Sequence, residues 1–233
     1  MKDELINTRK ILVLPLVMIL TVLSIEFGYT QQPAKPMDVN TFFGNIMGDW
    51  IGTFDQFTNK EKAPTKYFHM VAKQTGSDSY EATFKYYRID QKTRKTEEAG
   101  LSNIITKITP DGTATSSITG KGDVLINPET LRPEQHQLTE TAQINQDGIL
   151  YGKGSGSIKL GGMPLGLGRN GKVTDYTSIW SMKNDTLQID QILKVRFKVL
   201  FFSKTFNITT KFTAKRGSDV MALIKSSEIN SKQ

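Results

Sequence analysis

Phe206-Asn207-Ile208-Thr209-Thr210-Lys211-Phe212-Thr213-Ala214-Lys215-Arg216 is the stretch that decides the fold. Phe206, Ile208, Thr210, Phe212 and Ala214 alternate with Asn207, Thr209, Lys211, Thr213 and Lys215. In an extended chain successive side chains point to opposite faces, so a period of two with one apolar face describes a strand buried on one side. Arg216 falls on the same face as Phe212 and is expected to reach the interior or lie across its mouth. The same alternation recurs upstream. Tyr80, Ala82, Phe84 and Tyr86 share one face against Glu81, Thr83, Lys85 and Tyr87, and Leu187 and Ile189 alternate with Gln188 and Asp190.

Extending this reading predicts ten strands, at 50–57, 66–74, 80–88, 101–108, 113–119, 136–144, 150–158, 173–182, 186–200 and 205–215. Turn chemistry separates several of them: Pro110-Asp111-Gly112, Asn145-Gln146-Asp147-Gly148, Asn170-Gly171 and Asn184-Asp185. Helical periodicity is not sustained over three turns anywhere. The fold class is therefore all-β, an antiparallel up-and-down barrel of about 8–10 strands, because a meander of this size closes to remove its edges.

Outside the strands, Met1–Lys10 is basic on balance and Ile11–Ile25 is nearly unbroken apolar sequence, too short to span a bilayer comfortably. Residues 1–30 are expected to be a secretory signal, with an uncleaved anchor as the alternative, which places the protein outside the cell or in a periplasm. Pro33 and Pro36 mark 31–39 as a linker, and 40–47 as one short helical turn capped by Asn40 or Thr41. The barrel domain is expected over 40–217 and a flexible tail over 218–233.

Composition excludes several functions. The 233-residue chain has no Cys, which removes disulfides, thiolate catalysis and zinc–cysteine sites. Its net charge of +7 comes from lysines spread along the chain rather than gathered in a stripe interleaved with aromatics, so no nucleic-acid partner is expected. His69 and His136 are too few for a multi-histidine metal centre, and neither a metal nor a cofactor is expected.

Gly48-Asp49-Trp50 stands at the start of the first strand, preceded by Phe42-Phe43-Gly44 and followed by Ile51-Gly52-Thr53. With Arg216 closing the last strand, this arrangement resembles the lipocalin signature and, more broadly, the calycin-like barrels. The resemblance implies a floor plug in which the guanidinium stacks over Trp50, and an interior that binds a small apolar or amphipathic ligand. Phe54, Phe84, Tyr86, Tyr176, Trp180 and Phe212 are the residues expected to line it.

Gly152, Gly154 and Gly156 share one face of a strand, which suits sharp coiling or close approach of another group. The stretch 148–180 is also similar to calycin-like barrels that include cyclases, which keeps a cofactor-free cyclase or isomerase as an alternative. Asp175, mid-strand with mixed faces, is the candidate general acid. Phe201 and Phe202, bracketed by Lys194, Arg196, Lys198 and Lys204, form a basic hairpin tip suited to core packing, to a lid, or to an anionic membrane or envelope surface.

Overall fold

A computed structural model describes residues 37–89, 93, 95–122, 132–161, 170–199 and 202–230. The segment read as a signal and most of the linker lie outside them. Helix α1 (Val39–Asn45) comes first, with Asp38 as its cap. The Asp38 carboxylate accepts from the Thr41 amide at 2.7 Å, so the cap precedes the two expected positions. Val39, Phe42, Phe43 and Ile46 recur at helical spacing and are all buried, which gives α1 one apolar stripe.

Eleven strands follow: β1 (Gly48–Thr58), β2 (Glu61–Lys62), β3 (Lys66–Gly76), β4 (Ser79–Ile89), β5 (Thr96–Ile108), β6 (Ala114–Gly122), β7 (Arg132–Ile144), β8 (Leu150–Gly161), β9 (Asn170–Lys183), β10 (Thr186–Val199) and β11 (Phe202–Arg216). From β3 onward each strand pairs antiparallel with the next. β1 pairs with β3 on one side and β11 on the other, in a register running from Trp50↔Arg216 to Thr58↔Ile208. The two-residue β2 pairs only with the end of β1. Ten strands thus close into an antiparallel barrel.

The two ends of the barrel differ. Tight turns at 77–78, 109–113, 145–149 and 184–185 join strands at the end where α1 packs. The strand ends Ile89 and Thr96, Gly122 and Arg132, Gly161 and Asn170, and Val199 and Phe202, with the β2 segment, all fall at the other end. At the α1 end the Arg216 guanidinium lies 4.1 Å from the centre of the Trp50 ring. It donates to the carbonyls of Asn45, at 2.5 Å, and Met47. These carbonyls lie at the last residue of α1 and just beyond it and lack partners within the helix, so the cation caps α1 while it stacks. Trp50 Nε1 donates to the Ile46 carbonyl at 2.8 Å, which ties the first strand to the same helix.

Inside, Trp50, Phe54, Phe68, Phe84, Trp180 and Phe212 belong to one continuous core. Outward positions on β6 to β8, such as Thr115, Ser117, Thr119, Thr139 and Lys153, are polar and exposed. That is the reverse of a membrane-spanning barrel, whose outer band is apolar.

The C-terminal segment, expected as a flexible tail, carries helix α2 (Val220–Asn230) instead. Val220 and Ile224 are buried against Tyr67 on the outer wall, with Ile51, Tyr87 and Ile89 beside them. The Tyr67 hydroxyl lies 2.6 Å from Ser227 Oγ, and Asp219 caps the helix through the Ala222 amide at 3.0 Å. Order here comes from covering an apolar patch on the barrel, which outweighs the chain entropy of a terminus.

Candidate functional site

The barrel interior is built from the inward positions of ten strands, and its middle is aromatic. Phe54 and Phe212, opposite one another on β1 and β11, stack at 5.0 Å. Phe84 stacks on Tyr86 at 6.0 Å and meets Trp180 edge-on at 6.3 Å. All six residues expected to line the ligand site, Tyr176 included, are at most 6% exposed. Each ring pair contributes about 0.5–1.5 kcal/mol beyond its burial. The rings pack on each other and fill much of the lumen.

A polar cluster interrupts this packing. His136 Nε2 lies 3.0 Å from Ser102 Oγ. Ser102 also bonds the Tyr86 hydroxyl. The Tyr176 hydroxyl accepts from Gln191 Nε2 at 3.2 Å and bonds Ser178, whose hydroxyl donates to Glu140 Oε1. A small cavity of about 20 Å³ lies among Phe84, Tyr86, Ser102, His136, Tyr176 and Gln191. A second of the same size sits beneath α1, lined by Phe43, Ile46, Glu140 and Trp180 among others. Each has room for about one water molecule.

Burial sets the protonation of this cluster. It pushes the His136 imidazole down to about 4 and leaves it neutral at physiological pH. Desolvation raises the Glu140 carboxyl, opposed by the Ser178 hydrogen bond. Desolvation also holds both tyrosine hydroxyls in their protonated form, with the charge of Glu140 adding to the effect on Tyr176.

Two glycines make room for the polar side chains. A Cβ on Gly152 would fall 1.3 Å from Glu140 Oε1, and one on Gly120 would fall 2.1 Å from His136 Cε1. The carboxyl and the imidazole occupy the space that side chains on β8 and β6 would fill. The glycine run at 152–156 therefore admits another group to its face, and that group is Glu140.

The expected acid is placed differently. Asp175 is exposed on the outer wall and does not face the cavity. Its mixed surroundings in sequence reflect a bulge, since Val195 pairs with Val173 and Lys194 with Asp175, leaving Thr174 extra. Glu140 is the inward carboxylate. The pattern His136, Leu138, Glu140, Ala142 on β7 marks it, because an acid on an apolar face calls for a partner. His69 stands on the outer face, with Nε2 2.8 Å from Asp49 Oδ1. Phe201 lies outside the described residues, and Phe202 opens β11 with its side chain outside them.

Among the described residues no group of three or more His, Asp or Glu side chains is placed to hold a metal ion. No helix among them is long and apolar enough to cross a membrane.

No protein-family model matches the chain. No curated protein matches it either. Among solved structures, an S-type phycobiliprotein lyase from Guillardia theta is similar, with a TM-score of 0.36 and 8% identity over 78% of this chain and 94% of that one. A likeness at this level carries no weight for ligand or activity.

Proposed function

We propose that the barrel binds one small amphipathic molecule in its interior. The apolar body of the ligand packs against Phe54, Phe84, Trp180 and Phe212, and the Tyr86 and Tyr176 hydroxyls orient it. One observation carries this reading: a hydrogen-bonding cluster of His136, Ser102, Tyr86, Tyr176 and Gln191 is gathered around a void at the centre of an aromatic core. Each buried polar group risks about 1–3 kcal/mol if left unmade, and aliphatic side chains would pack the same space without that risk. Convergent polar groups in an apolar concavity are what a small-molecule site requires. The ligand takes its room by displacing rings of the aromatic core. The reading of residues 1–30 as an export signal supports a setting outside the cytoplasm for this binding.

Native mass spectrometry of the full chain purified from its own host is the test. The expected result is a reproducible co-purifying molecule that organic extraction releases. A bare polypeptide mass, together with no change in unfolding midpoint across a panel of amphiphiles, would refute the reading.

Glu140 favours a second reading, a cofactor-free cyclase or isomerase. A carboxyl with a raised pKa at the edge of an apolar cavity is suited to act as a general acid. Glu140→Gln separates the two readings: a binding protein keeps its ligand, whereas an enzyme keeps binding and loses turnover.

A further inference from the structure

The seam where the barrel closes carries polar atoms that the central cluster does not use. Gln56 on β1 faces Thr210 on β11, and Thr210 faces Gln191 on β10. All three share the inward face of their strands with Phe54, Phe212 and Ile189. Gln56 is 1% exposed and Thr210 is fully buried. Neither amide atom of Gln56 has a hydrogen-bond partner, and the hydroxyls of Thr210 and Thr58 have none. Buried side-chain polar groups are overwhelmingly satisfied in folded proteins, so four such atoms at one place call for an explanation.

We infer that the row Gln56–Thr210–Gln191 is the seat for the polar end of the ligand, and that the group it takes is an uncharged donor–acceptor edge such as a carboxamide or lactam. The inference rests on the interior-ligand reading above and specifies the chemistry of its ligand. The Gln56 side chain offers N–H donors and a carbonyl acceptor side by side. A carboxamide or lactam presents the complementary pair and satisfies both atoms at once. An ionised carboxylate accepts from Nε2 and leaves Oε1 without a donor, and a hydrocarbon leaves both unmet. Thr210 supplies a hydroxyl to the same carbonyl. The stacked Phe54 and Phe212, one inward position along the same strands, form the shelf on which an apolar tail begins.

The test uses ligands that differ only at the head: decanamide, N,N-dimethyldecanamide, which keeps the carbonyl and has no N–H, and decanoate. Isothermal titration with the full chain is expected to show decanamide binding about tenfold more tightly than the dimethylamide, the worth of one hydrogen bond to a buried partner. Gln56→Leu, which removes the acceptor for the ligand N–H, is expected to bring that ratio below about twofold, whereas Thr210→Val, which removes a donor to the carbonyl both amides carry, is expected to weaken both and leave the ratio near that of the parent. Cooperative melting of each variant confirms that it is folded, and Gln56→Leu is expected to melt about 2–4 °C above the parent, because an unmet amide has been removed from the interior. A ratio that persists in Gln56→Leu, or affinities unchanged in Thr210→Val, overturns the placement, and decanoate displacing decanamide from the parent overturns the uncharged head. A parent chain that binds none of the three overturns the interior-ligand reading itself.

Discussion

His136 makes stability depend on pH in a direction that can be worked out in advance. The folded imidazole takes a proton only near pH 4, against 6.5 for an ordinary histidine, because burial disfavours the charged ring. Between those values the unfolded chain binds more protons than the folded one, so stability falls as the pH falls and levels out below about 4. At about 1.4 kcal/mol per pH unit the loss comes to about 3 kcal/mol, a large share of the stability of an ordinary domain. Two carboxylates titrate alongside it: Asp55, which desolvation raises but hydrogen bonds from Thr65 and Lys62 lower further, contributes stability that is lost as the pH falls through the carboxylate range, and Glu140, raised by burial, opposes the loss; both are common to parent and variant and cancel in the difference. Urea unfolding of the parent and of His136→Gln, measured at pH 7, 5.5 and 4, isolates the term. Glutamine retains a neutral side chain that can bond Ser102, so the difference between the two proteins should shrink by about 3 kcal/mol across the window. Parallel curves would mean that the imidazole takes its proton at the same pH folded and unfolded, and the account of a buried, neutral His136 would fail.

Three further outcomes follow from the packing. Gly152→Ala should cost about 2–4 kcal/mol by driving the Glu140 carboxyl from its niche, and much less in a Glu140→Ala background, so a double-mutant cycle should show coupling above about 1 kcal/mol; additive costs would refute the shared space. Arg216→Ala should destabilise by about 1–2 kcal/mol and change Trp50 emission, since it removes both the stacking and the cap on α1; Arg216→Lys should recover only part, and a variant indistinguishable from the parent would show the plug to be ornamental. Ile224→Asp should release α2 from Tyr67, so that hydrogen exchange loses protection across Val220–Asn230 while the barrel strands keep theirs. Loss of protection throughout would show instead that the helix is integral to the barrel.

Alternation in Phe206–Arg216 and its upstream counterparts was enough to determine an all-β antiparallel meander, because the two-residue period of a strand is written locally. It was also enough to place Phe84, Tyr86 and Phe212 on apolar faces. Helix α2 was legible as well: Val220, Leu223 and Ile224 carry helical spacing, and a flexible tail was the wrong expectation for that pattern. Asp175 could not be oriented from its neighbours, because a bulge on β9 shifts the register and only pairing with β10 reveals the extra residue. Glu140, His136 and Gln56 acquire their meaning only in three dimensions. Each is one polar residue on an inward face, and its environment is set by strands far away in sequence: Gly152 clears space for the carboxyl, Ser102 meets the imidazole, and Thr210 stands across from the amide. Local sequence encodes which face a side chain takes. Closure of the barrel decides what that face meets, because burial and partnership depend on which strands become neighbours.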